Sequence, residues 1–598
     1  MGNKHSSPVL PNQSRDQRIG VNTNYDHSAP VSHISLRYHK SQAPLLKSTS
    51  SHDTLLCEKP PALPHNYHPN VTHLPLTLTT YTPLTPSISR QDAEARAYSA
   101  FLKSFPEYQS TWILDTLRRT DFARLDRTGE TYVDYMGGAQ HPESLVRVHS
   151  AFLTESVMGN THSVSNSSKL SSRYADEARD AVLSFFRAPP GYTVVFTANA
   201  TAALKLVGEA YPFKFNNGYI LGADSHNSVH GIREYASRRG AEVHYIPSTS
   251  TGGFVLSTAK DILSQHRPQN TSSLFALTGL SNITNAKNPL SIIGFASSLG
   301  YHTLLDAAAL APSSVISLSE TPVDAMVVSF YKMFGYPTGV GALIVKESFL
   351  EILERPWFAG GTVDVVQVPG SIFTRASVLH EQFEDGTINF MTLPAVTDGL
   401  RFLSAYLPFL PLRLSCLTHY LVVSLSCLRH DSTGTPVVNI LSKLPSRRLE
   451  SAGEQSDSGS TISLIFLSAS QLPLFYYRHL NETLDCSLQE RLIPNSFIEH
   501  VAVSRNISLR TGCMCNPGGA ASLLGIQDQM ERLYPGVTLK DFERVVGREL
   551  GVVRISLGLA SNFQDVWNVV MFASSLADSR TRQALWDTWT NVPIGQAV

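Results

Sequence analysis

The clearest indication of the fold is the sequence Val-Val-Ser-Phe-Tyr-Lys-Met-Phe-Gly-Tyr-Pro-Thr-Gly at residues 327–339. It places a single lysine, Lys332, between two apolar runs at residues 325–329 and 341–345, which we predict to be buried strands. An amine in such surroundings must lose its charge, find an acidic partner or become covalently occupied. The alternative is an ordinary lysine whose amine reaches solvent along an apolar stem.

Further short apolar runs extend this pattern on the N-terminal side, at residues 193–197, 274–278 and 302–306. Strands that are apolar throughout are typically buried on both faces, and helical segments separate several of them. This alternation predicts an α/β fold with a mainly parallel central sheet. We predict a large domain over residues 91–400, which includes an N-terminal helical segment, and a smaller α+β domain over residues 401–598.

Residues 1–90 form a Ser-, Pro- and His-rich tail with no sustained helical or strand period, which predicts disorder. Its histidines are scattered, so a solvated tail is favoured over a metal site. Gly2 and Ser6 fit the myristoylation pattern, but a single acyl chain binds a membrane only weakly. A mitochondrial transit peptide is disfavoured because no Arg-rich amphipathic helix is visible.

Composition excludes several classes of protein. The chain has 48 Lys and Arg against 49 Asp and Glu, so it lacks the basic excess that holds a nucleic acid. Six cysteines in 598 residues do not make a disulfide scaffold, which favours a reducing compartment, and we expect the cytoplasm. The apolar segment 403–428 is interrupted by Pro408, Pro411 and Arg413, and this indicates a buried helix rather than a membrane span.

Two further groups at predicted strand ends complete the pattern around Lys332. Residues 196–201, Phe-Thr-Ala-Asn-Ala-Thr, join a strand to a helix whose free N–H groups and Thr201 hydroxyl suit an anion, although capped helix starts are common. Asp306 closes another apolar strand, where it is either a helix cap or a carboxylate with a positive partner. An anion cradle, an acid and a lysine at strand ends suit pyridoxal 5'-phosphate, which has a phosphate, a ring nitrogen and an aldehyde.

The pair Cys513 and Cys515 lies in Arg-Thr-Gly-Cys-Met-Cys-Asn-Pro at residues 510–517. Half of a zinc site is one interpretation, but no second cysteine pair lies nearby to supply four ligands. Two inert buried cysteines are another. The functional interpretation is a nucleophile on a mobile loop, with Arg510 favouring the thiolate.

With these motifs the sequence resembles the class V aminotransferase-fold enzymes of pyridoxal phosphate fold type I. It is most similar to the cysteine desulfurase part of molybdenum cofactor sulfurases. The resemblance covers roughly residue 95 to the C-terminus. The matching pieces are residues 159–163, 200–201, 225–229, 231–235, 281–282, 306–308, 329–339, 360–362, 383–387 and 510–517.

The resemblance implies a role for each site residue. Lys332 is the Schiff-base lysine and moves the Cα proton, Asp306 pairs with the ring nitrogen, and His226 stacks on the ring. Cys515 is the nucleophile by alignment, with Cys513 as the runner-up. The remaining implied contacts are Ala200, Thr201, Ser329 and Tyr331 to the phosphate, Asn282 near the ring hydroxyl, Thr362 to the phosphate of a partner subunit in a homodimer, and Arg554 to the substrate carboxylate.

The sequence departs from the family in two positions and in extent. Ala309 stands where many desulfurases have Gln, and Tyr331 stands where many have His. We expect the molybdenum-cofactor-binding domain of full sulfurases to be missing, because the chain ends about 44 residues beyond Arg554.

The expected activity is transfer of sulfur from L-cysteine, through an enzyme persulfide, to an unidentified acceptor, with release of L-alanine. One alternative is a pyridoxal phosphate lyase, epimerase or decarboxylating enzyme of secondary metabolism that acts on another amino acid. The other is an inactive scaffold protein with the same fold.

Overall fold

The computed structural model of the protein describes residues 89–269, 272–469 and 492–591. The predicted disordered tail, its histidines and Gly2 lie outside the described residues, as do Cys57 and Cys486.

The described chain alternates helices and strands from Arg90 onward. The helices are α1 (Arg90–Ser104), α2 (Trp112–Asp121), α3 (Ala123–Thr128), α4 (Glu143–Glu155), α5 (Asn166–Phe185), α6 (Ala200–Ala210), α7 (Asn227–His230), α8 (Ile232–Arg238), α9 (Leu256–Gln265), α10 (Ser291–Ser298), α11 (Phe330–Phe334), α12 (Glu347–Leu350), α13 (Leu393–Tyr406), α14 (Leu410–Cys427), α15 (Asn495–Val503), α16 (Pro517–Leu524), α17 (Gln527–Met530), α18 (Leu539–Val546), α19 (Phe563–Ala577) and α20 (Ser579–Thr590). The strands are β1 (Thr131–Tyr132), β2 (Tyr192–Thr197), β3 (Gly218–Gly222), β4 (Glu242–Ile246), β5 (Ser273–Thr278), β6 (Tyr301–Asp306), β7 (Ala325–Ser329), β8 (Gly341–Lys346), β9 (Val363–Val366), β10 (Phe373–Arg375), β11 (Val438–Ile440), β12 (Thr461–Phe466), β13 (Ile507–Ser508), β14 (Arg510–Gly512) and β15 (Val552–Ser556). Short 3-10 helices lie at Pro106–Thr111 and His380–Phe383.

The central sheet has seven strands in the order β2-β8-β7-β6-β5-β3-β4. Strands β3 to β7 are parallel, and β8 is antiparallel to both of its neighbours. The predicted strands correspond to β2, β5, β6, β7 and β8, so the prediction of a mainly parallel α/β sheet is confirmed. In this arrangement the carboxyl ends of β5, β6 and β7 meet at one edge.

Both faces of this sheet are buried because alternate strand residues enter two different cores. Val194 and Val328 pack in the core that contains α5, α9, α10 and α13. Their neighbours Val195 and Val327 pack in the core that contains α6 and α8. This explains why the strands read as continuous apolar runs rather than as alternating ones.

A smaller antiparallel sheet, in the order β11-β12-β15-β14, follows in the C-terminal part of the chain. The N-terminal segment packs against this part: β1 pairs with β13, and buried Arg118 on α2 lies 3.0 Å from Asp565 on α19. The sequence predicts this helical segment as part of the large domain; in the structure it contacts α4 of that domain and also the C-terminal part. Such pairing across the chain has no local sequence signal. The domain boundaries themselves stay predictions.

Helix α14 is long and apolar enough to cross a membrane by length and composition alone, but 61% of its residues are buried inside the protein. It packs on α19, and its buried Arg413 pairs with Asp115 on α2. Helix α14 is therefore a core helix in this fold, as the interrupted apolar segment predicts.

Candidate active site

Lys332 lies on α11, which begins directly after β7. The last residue of β7, Ser329, lies at the carboxyl edge of the sheet. Burial lowers the pKa of the Lys332 amine, and the charges of Arg554 and Arg510 lower it further, while Asp306 acts in the opposite direction. A lowered pKa favours the neutral amine, which is the form that can attack a carbonyl or accept a proton.

Asp306 is the last residue of β6, beside β7, and its side chain is buried. Its Oδ1 accepts a hydrogen bond from the Ala308 N–H at 3.1 Å. The same charged groups act on His226. Burial lowers the pKa of its imidazole, the charge of Asp306 raises this pKa, and the charges of Lys332 and Arg510 lower it further. The structure thus brings together the three residues that were assigned to the lysine, acid and stacking roles.

The predicted anion cradle lies at the start of α6, where Asn199 caps the helix by accepting from the Ala202 N–H at 2.9 Å. The Ala200 N–H donates to Ser329 Oγ at 2.8 Å, and Thr201 Oγ1 lies 2.8 Å from Ser228 Oγ. Ser228 lies two residues after His226, whose Nδ1 accepts from the Ser228 N–H at 3.1 Å. The Ser228 hydroxyl was missed as a site group, although the motif that contains it was noted.

Gly341 allows this cradle to form. A Cβ at position 341 would lie 2.6 Å from the Asn199 Cα, so only glycine lets β8 approach the turn before α6 this closely.

Two predicted phosphate contacts have other neighbours in the structure. The Tyr331 ring lies against Gly138, and the charge of Arg510 acts on its hydroxyl, which places it toward the small sheet. The Thr362 hydroxyl is buried in its own turn, where it donates to the Ala359 carbonyl and accepts from the Ala359 N–H, both at 2.9 Å. Contacts of either residue with a phosphate stay predictions.

Arg554, on β15, is only 1% exposed and is held by two groups from other segments. Its Nη2 lies 2.5 Å from Asp134 Oδ1, and its Nη1 donates to the Asn282 carbonyl at 3.0 Å. Its Nε has no hydrogen-bond partner among the described residues. A buried guanidinium with an unused donor suits a ligand carboxylate. Asp134 was missed, because nothing near it in the sequence points to Arg554.

The two cysteines lie in different surroundings between β14 and α16. Cys513 is half-buried and packs against two apolar clusters, one that includes Leu523 and one that includes Phe542. Burial raises the pKa of its thiol, with Glu543 adding to the shift. Cys515 is exposed. Because the thiolate is the nucleophile, this contrast favours Cys515. The charge of Arg510 lowers the pKa of Lys332 and of His226. Its predicted effect on a cysteine thiol stays a prediction.

The loop that carries Cys515 is docked on the large domain through its backbone, and its predicted mobility stays a prediction. Its backbone contacts two segments that follow strands of the central sheet: the Asn227 N–H, after β3, donates to the Cys515 carbonyl, and Asn282 Nδ2, after β5, donates to the Met514 carbonyl, both at 2.7 Å. Met514 and Cys515 both have φ of 55°. Non-glycine residues hold this conformation only where surrounding contacts impose it.

Buried Asp224 is the anchor of this loop. It accepts hydrogen bonds from Ser281 Oγ (2.6 Å), Thr284 Oγ1 (2.6 Å), the Gly253 N–H (2.8 Å) and Asn516 Nδ2 (2.8 Å). The Asn516 amide also donates to Asn282 Oδ1 at 3.1 Å. The Asn282 side chain is therefore engaged with the cysteine loop, and its predicted place near the ring hydroxyl stays a prediction.

Comparison with known proteins identifies the domain that contains most of this site. Residues 131–410 match the family model described as aminotransferase class-V. The chain carries a class V aminotransferase domain. The molybdenum cofactor sulfurase of Solanum lycopersicum is 32% identical to the chain over 534 residues, which are 83% of this chain and 62% of that protein. The chain thus spans less than two thirds of the length of that relative.

Solved structures resemble the protein in fold. The apo cysteine desulfurase of Thermococcus onnurineus NA1 has a TM-score of 0.60 at 19% identity and covers 77% of this chain and 98% of its own. A C-DES variant with glycine covalently linked to its PLP cofactor has a TM-score of 0.53 at 15% identity, covering 76% of this chain and 98% of its own. The predicted pyridoxal phosphate fold type I is confirmed, and the prediction of a pyridoxal phosphate enzyme is confirmed at the level of the family.

The side chains of the class V aminotransferase domain fit this cofactor. Hydroxyls of Thr201, Ser228 and Ser329 surround the start of α6, where a phosphate is favoured. The Asp306 carboxylate and the Lys332 amine lie at the ends of adjacent strands of the same sheet. The donor set therefore provides an anion site, an acid and an amine.

Ala309, the first departure from the family pattern, lines a cavity of about 30 Å³ together with Lys332. The other walls are mainly apolar and include Tyr135, Met136 and Leu410. The smaller side chain thus leaves a small apolar space beside the lysine.

For the cysteine-dependent activity that the sequence predicts, we expect Asn516→Ala to lower sulfide production by about 100-fold, because a small misplacement of a reacting group has an effect of this size. The change removes the amide that ties the cysteine loop to Asp224, while Lys332 and the α6 cradle are untouched. The visible absorbance of the cofactor should therefore persist. Asn506→Ala is the matched control, because it removes an exposed amide that donates one hydrogen bond to Thr128. Equal sulfide rates in both variants would show that the loop does not need this anchor.

Proposed function

We propose that the protein is a pyridoxal 5'-phosphate-dependent cysteine desulfurase that forms a persulfide on Cys515 and passes the sulfur to an acceptor. The observation that carries the proposal is the docking of an exposed cysteine, through its own carbonyl, onto the residue that follows His226. A lyase or epimerase of the same family would have no use for a thiol at this place. The relatives named molybdenum cofactor sulfurase support sulfur transfer, although the chain matches only 62% of the first of them.

The cofactor would be held by Lys332, Asp306, His226 and the α6 cradle. When bound, pyridoxal 5'-phosphate supplies an aldehyde for the amine and a ring that withdraws electrons from the substrate Cα. The Asp306 carboxylate would hold a proton on the ring nitrogen. The cradle would receive the phosphate through the Thr201, Ser228 and Ser329 hydroxyls.

Arg554 orients the substrate. Its guanidinium, fixed by Asp134 and by the Asn282 carbonyl, would hold the carboxylate of L-cysteine through its remaining donor. Lys332 Nζ would take the Cα proton, since burial and two neighbouring arginines keep its pKa low.

Cys515 performs the sulfur step. Its thiolate attacks the substrate sulfur, and a sulfur–sulfur bond forms as the carbon–sulfur bond breaks. The electron pair of the broken bond stays on carbon, which takes a proton and becomes the methyl group of L-alanine. Cys515 is left as a persulfide, and because this residue is exposed, the outer sulfur is open to an acceptor.

The test uses the purified full chain with L-cysteine and a reductant, and it measures the visible spectrum, L-alanine and sulfide. A yellow protein that releases alanine and sulfide in equal amounts supports the proposal. A yellow protein that does not react with L-cysteine but turns over another amino acid would contradict the proposed reaction and leave the assignment of the fold unchanged. A protein without cofactor absorbance would overturn the enzyme and leave a scaffold.

We also propose that the enzyme is a cytoplasmic homodimer. Thr362 directly precedes the β9–β10 hairpin, which exposes Val365 (61%), Val368 (85%) and Ile372 (67%). Clustered exposed apolar side chains mark an interaction surface. Light scattering should give twice the chain mass of 65.6 kDa, and Ile372→Lys should shift it toward one chain mass. A wild-type protein with a single chain mass would contradict the dimer.

A further inference from the structure

The outer edge of the central sheet carries a cluster of metal-ligating side chains that the sulfur chemistry does not use. It consists of Glu242 and His244 on β4 and of His266, which directly follows α9. One ligand atom from each residue lies within 4.8 Å of the others. The two imidazole rings stack with centroids 3.6 Å apart, and His244 Nε2 lies 3.2 Å from Glu242 Oε2.

The backbone at these three residues is held in place by strand pairing and by a hydrogen bond. Glu242 and His244 alternate along one strand and therefore share a face, and their register is set by pairing with Gly218 and Ile220 of β3. The His266 carbonyl accepts a hydrogen bond from the buried Tyr301 hydroxyl at 2.5 Å. Because the three residues lie on a strand and at an anchored helix end, rotation of their side chains is enough to bring the ligand atoms around one ion.

The donor chemistry selects the class of ion. Two imidazole nitrogens and one carboxylate oxygen suit zinc and related divalent transition metals, whereas magnesium and calcium prefer sets made of oxygen. Three protein ligands leave a fourth position open to water.

The cluster is separate from the active site. Glu242 is the first residue of β4, so the cluster begins at the amino edge of the parallel strands, whereas Asp306 is the last residue of β6 at the carboxyl edge. An ion here would not reach the sulfur chemistry. It would instead link the outermost strand of the sheet, β4, to α9.

We propose that Glu242, His244 and His266 bind one divalent transition metal ion of the zinc class, which fastens α9 to the edge strand β4. Because the ion binds the folded arrangement of two separate elements, it stabilises the fold by mass action.

The experiment uses the full chain, stripped with a chelator and then titrated with Zn²⁺. Thermal unfolding and bound zinc per chain after dialysis are the two readouts. The wild-type protein should unfold a few degrees higher with zinc. His244→Ala and His266→Ala should lose this shift and bind one zinc equivalent less. Glu242→Gln changes a carboxylate that is 71% exposed, so it should fold and show a smaller shift.

The control separates this site from other ligands in the chain. His500→Ala removes a half-buried imidazole on α15 and should keep both the zinc shift and the full zinc content. Zinc held by the N-terminal histidines or by the cysteine pair would be present equally in every variant. Equal shifts and equal zinc content in the wild-type, His244→Ala and His266→Ala proteins would overturn the proposal. The outcome is independent of cofactor binding and of cysteine turnover.

Discussion

Cys515→Ala should lower sulfide production from L-cysteine by about 1000-fold or more, as expected when a nucleophile is removed. The visible absorbance of the bound cofactor should not change, because Lys332 and the α6 cradle lie on other elements. The neighbouring thiol cannot substitute efficiently, since burial raises the pKa of Cys513 and disfavours its thiolate. Sulfide and persulfide assays with the full chain, alongside the absorbance spectrum, measure both expectations.

Cys513→Ala is the matched control, because it removes the other thiol of the same loop. It should keep the sulfide rate within a few-fold of the wild-type protein. The reverse pattern, with loss in Cys513→Ala and retention in Cys515→Ala, would move the nucleophile to Cys513. Retention in both variants would refute persulfide formation on this loop.

Lys332→Ala should abolish turnover of L-cysteine, with a loss of about 1000-fold or more, because the same amine binds the aldehyde and moves the Cα proton. The visible spectrum should also change, since the covalent link between protein and cofactor is lost. Cys515→Ala keeps the spectrum, so the two variants separate the two proposed roles. Alanine formation and the absorbance spectrum are the measurements.

Lys287→Ala is the matched control for Lys332→Ala. Lys287 is another, half-buried amine whose pKa is lowered by burial, but it donates to Ser314 and to the Ser456 carbonyl. Its loss should leave the spectrum and turnover in place. An unchanged spectrum in Lys332→Ala would contradict the assignment of this lysine.

The central sheet was predictable from the sequence because its strands are buried on both faces. Continuous apolar runs such as residues 274–278 and 325–329 are typical of strands that have helices packed on both faces. The sequence draws attention to Asp306 because a charged residue ends an apolar run, and to Lys332 because a single lysine stands between two such runs; their roles stay predictions. The order of β8 in the sheet and its antiparallel direction had no such signal.

The supporting contacts of the site were not predictable from local pattern. Arg554 and Asp134 are 420 residues apart in the chain, and Asn516 and Asp224 are 292 residues apart. The first pair meets because the N-terminal segment packs on the small sheet, where Asp134 bridges Ser556, and the second because the cysteine loop docks on the loop after β3. The docked state of the cysteine loop was missed for this reason, since its anchors belong to loops after β3 and β5.

Asp224 restricts how the sequence of this protein can change over time. Its two oxygens take hydrogen bonds from two loops and a helix cap, through Gly253, Ser281, Thr284 and Asn516. A single replacement within this set would leave a buried donor or acceptor without its hydrogen-bond partner, which lowers the stability of the fold by about 1–3 kcal/mol. We expect these positions to be inherited as a block, so that divergence at one of them accompanies divergence at the others.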